Sequence, residues 1–181
     1  MSSGKIENHN TSIRICGVGG MGVILASVVL GKAAIYDNKN AVQTQSYGAE
    51  QRGTKVRSDV IISKSAVINY PIVDKADILI AFTQEAFDFF IQSTNPESKI
   101  FINSNNIKLE RKTNNLYEIP ARYLAKELQN ERVLNMIMLG ALVKITDIVS
   151  KESMIKSITD TVSKPFIGIN IQALQKGYDY F

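Results

Sequence analysis

Two short stretches of this chain carry residue types that could do chemistry. The first is "GVGGMG", Gly17 to Gly22, which satisfies G-x-G-x-x-G directly after an apolar run and before a long helical pattern. Glycines at that spacing permit a tight turn and a close approach of ligand to backbone, and the helix that follows presents unpaired N–H groups and a positive dipole end to an anion. Gly17, Gly19, Gly20, Met21 and Gly22 are therefore candidate ligand-proximal positions. The second stretch is "TQSYGAEQRGTKVRS", Thr44 to Ser58, which sets Tyr47, Glu50 and Arg52 around Gly48 and Gly53. Arg52 has the forked donors for a phosphate or carboxylate, and Glu50 suits a partner cation or a brace within the loop. The plainer readings are close helix–strand packing for the first stretch and a solvated turn for the second.

The glycine turn alone does not make a dinucleotide site. That chemistry needs an acid about 20 positions on, at the end of the second strand, to hold the ribose hydroxyls. Asp37 lies at that offset from Gly17, but it falls in the "DNKN" turn ahead of the second strand, which ends in Gln45 and Ser46. No Lys-Ser or Lys-Thr follows the last glycine, so a phosphate P-loop is excluded. The one histidine, His9, sits in the polar leader, and Cys16 reads as a small buried hydrophobe without a histidine partner. One Cys and one His cannot build a zinc or iron–sulfur site, so no metal site is expected. No catalytic residue is assigned to this chain.

The elements that must position these stretches follow from periodicity. "SIRICGV" predicts a first strand, and the residues from about Gly22 to Tyr36 predict a largely buried helix. "AVQTQS" and "KVRSDVIIS" read as strands, "SAVINYP" as a strand pairing back on the latter in a hairpin, and "ADILIAF" as a strand covered on both faces. Thr83 is placed to cap a helix over "TQEAFDFFIQS"; "SKIFINSN" and "NNLYEIP" follow as strands. Pro120 opens "ARYLAKELQN", and "RVLNMIMLGALVKIT" is apolar on most sides. Ser150 caps "SKESMIKSITDTVS", with Ser153 where a capping box would place Glu, and a last helix runs from about Asn170. Alternating strands and helices predict an α/β fold: a single Rossmann-like, three-layer domain with a mostly parallel sheet and helices clustered toward the C-terminus. Residues 1–11 are expected to be a flexible leader and 12–181 the folded domain.

Composition narrows the classes. The chain has 181 residues, 45% hydrophobic and 21% charged, as one globular domain would. Its 21 basic residues against 17 acidic ones are spread along the chain, which argues against nucleic acid as a partner. No apolar run reaches about 18 residues, so no membrane span is expected. The polar N-terminus lacks a signal peptide's apolar centre, and the lone cysteine suits a reducing compartment, so a cytoplasmic location is expected.

Taken together, "ICGVGGMGVILAS", "TQSYGAEQRGTKVRSDVIIS", "INYPIVDKADILIAF" and "NMIMLGALVKI" resemble the gamma subunit of 2-oxoacid:ferredoxin (or other acceptor) oxidoreductases, nearest to the 2-oxoglutarate branch. The resemblance runs in order from about Ile13 to Gly177, and "SYGAEQRG" is its most distinctive piece. It implies a multi-subunit enzyme that decarboxylates a 2-oxoacid on thiamine diphosphate, sends two electrons through iron–sulfur clusters to ferredoxin or flavodoxin, and hands the acyl group to coenzyme A. In such enzymes the thiamine and the clusters belong to alpha, beta and ferredoxin-like delta subunits, and the gamma subunit packs against them and is implicated in coenzyme A access. On this resemblance the glycine turn lies near coenzyme A, while Tyr47, Gly48, Glu50, Arg52 and Gly53 face a partner. Two positions depart from the family pattern: Met21 stands where Gln is usual, and Thr54 stands where a second glycine often follows Gly53. The competing readings are a free-standing dinucleotide- or nucleotide-binding module and a scaffold that touches no ligand. An isolated chain with its partner-facing surface bare would be prone to pair with itself.

Overall fold

The apolar run of the first segment becomes the centre of a six-stranded sheet in the computed structural model, which describes residues 10–47, 55–64, 67–109 and 115–181. The elements are β1 (Asn10–Val18), α1 (Val23–Tyr36), β2 (Asn40–Tyr47), β3 (Lys55–Ser63), β4 (Ala76–Ala81), α2 (Gln84–Phe90), β5 (Thr94–Asn103), β6 (Leu116–Ile119), α3 (Ala121–Glu127), α4 (Leu134–Thr146), α5 (Lys151–Thr161) and α6 (Ile167–Tyr178). The strand order is β2-β3-β1-β4-β5-β6. β3 runs antiparallel to both its neighbours, whereas β1, β4, β5 and β6 are joined by parallel pairings, so β3 alone opposes the common direction.

Alternation along the strands builds two unequal cores. Ile13 and Ile15 of β1, Val60 and Ile62 of β3, Ile78 and Ile80 of β4, and Phe101 of β5 join one large cluster with residues of α1, α3, α4, α5 and α6. The intervening residues Cys16, Leu79, Ala81, Ile100 and Ile102 meet Ala86, Phe87 and Phe90 of α2 on the other face. Three layers result, with a thick helical layer on one side and, among the described residues, the single short helix α2 on the other. This thin face also receives Arg14 and Asp59, which stand opposite each other in the β1–β3 register and are both buried.

The hairpin expected from "SAVINYP" is not formed by its described residues, 67–71, which are in no strand. The reason is topological: β3 pairs with β2 along one edge and with β1 along the other, leaving no edge for a returning strand. Pro71 would also have withheld a ladder donor. The final helix opens at Ile167, earlier than the Asn170 expected from pattern. Thr83 takes the extended backbone of an N-cap, but its hydroxyl makes no cap bond. Ser150 does cap α5, accepting from the Ser153 N–H at 3.1 Å.

The helix "LNMIMLGALVKIT" is buried continuously from Leu134 to Val143. It crosses α6 so closely that glycines face backbone at the contact. A Cβ on Gly140 would stand 2.7 Å from the Tyr178 nitrogen, and one on Gly177 would stand 2.9 Å from the Ile137 Cα. This crossing carries α4 up to the glycine turn, because the first turn of α4 holds Asn135.

Candidate ligand crevice at the strand ends

β1 and β4 are parallel neighbours, with Cys16 opposite Ala81. The chain leaves β1 toward α1 on the thick face and leaves β4 toward α2 on the thin face. Strand ends that diverge in this way open a crevice at the carboxyl edge of the sheet, where open α/β sheets take their ligands. Among the described residues, the loops that border it are braced by backbone or amide contacts.

The glycine turn forms one lip. Gly17 is buried, and a Cβ there would come 3.2 Å from the Phe82 Cβ and 3.3 Å from the Val23 side chain, so glycine lets strand and helix close up. Gly20 and Gly22 have φ of +93° and +73°, a region that side chains disfavour. Gly19 and Gly20 are exposed, while Met21 is half-buried against the main core. Gly22 precedes α1 with no side-chain cap, and no acidic residue sits in the helix's first turn. The opening N–H groups of α1, which have no partner within the helix, therefore face the crevice without local negative charge.

Asparagines hold this lip and its neighbours. Buried Asn135 donates from Nδ2 to the Gly22 carbonyl at 3.1 Å, and its Oδ1 accepts from the Met136 N–H at 2.9 Å. A Cβ on Gly22 would run into that amide, 3.1 Å from its Cγ. Asn103 and Asn106 each donate to the Phe82 carbonyl at 3.4 Å, and Asn105 Oδ1 accepts from the Tyr123 N–H at 3.0 Å. Across the crevice the Thr83 hydroxyl oxygen is buried with no hydrogen-bond partner. Sequence reasoning missed these asparagines. An amide inside the apolar "NMIMLG" was the one available signal, since a buried amide must find partners.

The second candidate stretch reaches the same edge. β2 ends at Tyr47, opposite Val56, and β3 begins at Lys55, opposite Val18 at the end of β1. The anchors of the 48–54 connection thus stand beside the glycine turn, so the fold brings the two candidate regions to one edge. Gly48, Glu50, Arg52, Gly53 and Thr54 lie outside the described residues, as do His9 and the side chain of Tyr47. Lys55 reaches the other way: its Nζ lies 3.5 Å from Glu85 and over the Phe89 ring, tying β3 to α2.

Two residues weighed for chemistry are used elsewhere. Burial pushes the Cys16 thiol up to about 12, against a smaller downward pull from Arg14, so no thiolate forms near neutral pH. Asp37 closes the far end of α1, a helix of 14 residues and about 21 Å. Its carboxylate accepts from the Ser150 N–H at 2.6 Å and hydroxyl at 2.7 Å, and from the Ser153 hydroxyl at 2.5 Å. The side chain that matched a dinucleotide site by offset is thus remote from the turn, and it completes from another helix the capping role that Ser153 cannot play.

Partial burial works to raise the Asp37 pKa, but the serine donors and Lys39 outweigh it and hold the carboxyl below its ordinary value. A depressed native pKa stabilises the fold above the unfolded-state value and loses that stabilisation as the pH falls through the native one. Asp37→Ala should cost about 2–3 kcal/mol in denaturant unfolding at pH 7, and the gap to wild type should shrink as the pH falls below about 4.

The family model described as pyruvate ferredoxin/flavodoxin oxidoreductase matches residues 12–180. The chain is 42% identical, over 92% of its length and 91% of the relative's, to the 2-oxoglutarate synthase subunit KorC of Methanocaldococcus jannaschii. The keto/oxoacid ferredoxin oxidoreductase gamma subunit of Geobacter sulfurreducens superposes with a TM-score of 0.82 at 35% identity, covering 93% of this chain and 96% of that one. The 2-oxoglutarate:ferredoxin oxidoreductase of Magnetococcus marinus, solved with 2-oxoglutarate, coenzyme A and succinyl-CoA bound, shares the fold. Its TM-score is 0.84 at 22% identity, and the match covers 96% of this chain and 31% of that one. With a family model matched almost end to end and relatives of similar length aligned throughout, the chain belongs to the pyruvate ferredoxin/flavodoxin oxidoreductase family.

Proposed function

We propose that this chain is the gamma subunit of a 2-oxoglutarate:acceptor oxidoreductase, acting with alpha, beta and ferredoxin-like delta subunits and an external ferredoxin or flavodoxin. The observation that carries the reading is the 42% identity to a 2-oxoglutarate synthase subunit across nine-tenths of both chains. No helix of the described residues is long and apolar enough to cross a membrane.

The family's cofactors can be tried against the residues present. Iron–sulfur clusters need several thiolates, and this chain offers only the buried Cys16. The clusters do not fit here and belong with partner subunits, as does thiamine diphosphate on the resemblance stated above. Coenzyme A brings phosphates and an acyl-accepting thiol, and for the phosphates the donor set fits. The first turn of α1 offers backbone N–H groups without a cap or an acidic neighbour, and Asn135 holds Gly22 in the conformation that aims them. In this reading Gly17 lets the helix seat against the strand, Gly19 to Gly22 line the approach, and Met21 anchors the turn in the core. Tyr47, Gly48, Glu50, Arg52 and Gly53 complete the same edge toward the partner.

The test is reconstitution. Co-expressed with its partner subunits, the chain should support acceptor reduction that depends on both 2-oxoglutarate and coenzyme A; failure of the 2-oxoglutarate dependence would sink the assignment. Gly19→Asp sets a carboxylate on an exposed rim position. It should raise KM for coenzyme A by roughly 5- to 10-fold while leaving KM for 2-oxoglutarate and the melting temperature unchanged. An unchanged KM for coenzyme A would leave the turn as a packing device only.

A further inference from the structure

The thin face of the sheet carries a groove that neither the crevice nor the core uses. Two clefts of about 430 and 250 Å³ share Arg57, Ile72 and Val73 as walls and so form one depression between residues 71–75 and the end of α2. Ile68 and Val73 pin the neighbouring segment inward, against Ile61 and Ala76. Around these anchors Val67, Tyr70, Ile72 and Phe89 are exposed at 76%, 63%, 56% and 60%. Backbone groups from Val67 to Ile72 make no hydrogen bond to any described residue. A stretch rich in β-branched and aromatic residues whose backbone groups, apart from the donor that Pro71 lacks, are free is a template for a docked peptide.

Charge says what would sit there. The Arg57 guanidinium stacks 5.9 Å from the Phe90 centroid, and no carboxylate among the described residues pairs with it. Lys75 adds a second cation to the rim and Asp74 one opposing charge, while Arg14 below is neutralised by Asp59. The rim is therefore net positive between apolar walls.

We propose that the groove between Val67–Lys75 and α2 docks a peptide segment of a partner oxidoreductase subunit, one that carries an acidic side chain flanked by apolar ones. The partner's carboxylate meets Arg57 in a charge-assisted pair, its apolar side chains cover Ile72 and Phe89, and its backbone takes up the free groups of Val67 to Ile72. This inference rests on the heteromeric reading above, and it names a surface whose walls are β3, residues 71–75 and the end of α2.

The experiment uses the chain co-expressed with its partner subunits. Ile72→Asp, at an exposed position, should leave the melting temperature of the lone chain unchanged yet weaken assembly by at least about tenfold; Arg57→Glu should do the same. Hydrogen exchange should slow at the amides of Val67 to Tyr70 and of Ile72 on assembly. Wild-type assembly by both variants, or unprotected amides in the complex, would overturn the proposal. A lone wild-type chain that dimerises through this face, and that Ile72→Asp makes monomeric, would also overturn it by naming a second copy as occupant. A wild-type chain that binds none of those subunits would instead defeat the heteromeric reading itself.

Discussion

Gly177→Ala is expected to destabilise the protein by roughly 3 kcal/mol or more, an unusual cost for one added methyl group in a helix. Alanine is ordinarily the better helix former by about 1 kcal/mol. Here the added carbon would sit 2.7 Å from the Ile137 carbonyl carbon and 2.9 Å from its Cα, deep inside van der Waals contact. The obstacle is backbone, so no rotamer change relieves it; α6 must lift off α4, opening gaps along a contact that includes Ala173 and Leu174 of the main core. Gly140→Ala should behave alike, since its Cβ would stand 2.7 Å from the Tyr178 nitrogen and 3.0 Å from the Leu174 carbonyl carbon. The double variant should cost less than the sum, because either substitution already forces the helices apart. Gly31→Ala is the control: its Cβ would meet only a Val60 methyl at 4.0 Å, so it should gain about 0.5–1 kcal/mol. Chemical denaturation of the three single variants checks the ordering.

These glycines show where the sequence was legible and where it was not. Burial of "LNMIMLGALVKIT" could be read from its all-round apolar character, and so could burial of α1. Which glycine meets which backbone could not, because Gly140 and Gly177 face segments far along the chain. The glycine turn was readable because its determinants are local: strand, glycines and helix are consecutive. Asn135, which holds Gly22 in place, arrives from the other end of the domain and left only the faint signal of an amide among apolar residues. The hairpin expectation failed for the same kind of reason. "SAVINYP" has strand chemistry, but the edge it needed is taken by β1 and β2, and sheet order is a non-local property. That unspent strand chemistry is what leaves an apolar segment exposed beside α2.

Asp59→Ala should be the most damaging single loss of charge, at about 3–5 kcal/mol. Arg14 and Asp59 each look like an ordinary polar residue within its own strand, and only the β1–β3 register joins them. Arg14 is 1% exposed and Asp59 5%, and the guanidinium meets both carboxylate oxygens at 2.8 Å from Nε and Nη2. Two further donors, on Nη1 and Nη2, reach the Ser93 hydroxyl at 2.5 Å and the Val73 carbonyl at 2.6 Å. Without Asp59 a full positive charge stays buried with only neutral acceptors, and that uncompensated desolvation is the source of the cost. Removing both charges should hurt less than removing one: Arg14→Met with Asp59→Leu is expected to recover most of the loss, although the two hydrogen bonds to Ser93 and Val73 go with the arginine. The double-mutant cycle by urea denaturation reads this directly, and a double variant as unstable as the sum of the singles would refute the desolvation account. Arg14 also joins Val73 to Ser93, just past the end of α2, and so links the two walls of the groove. Asp59→Ala should therefore weaken partner assembly even where the chain stays folded, whereas Gly177→Ala, acting on the opposite face, should lower stability without a selective effect on that groove.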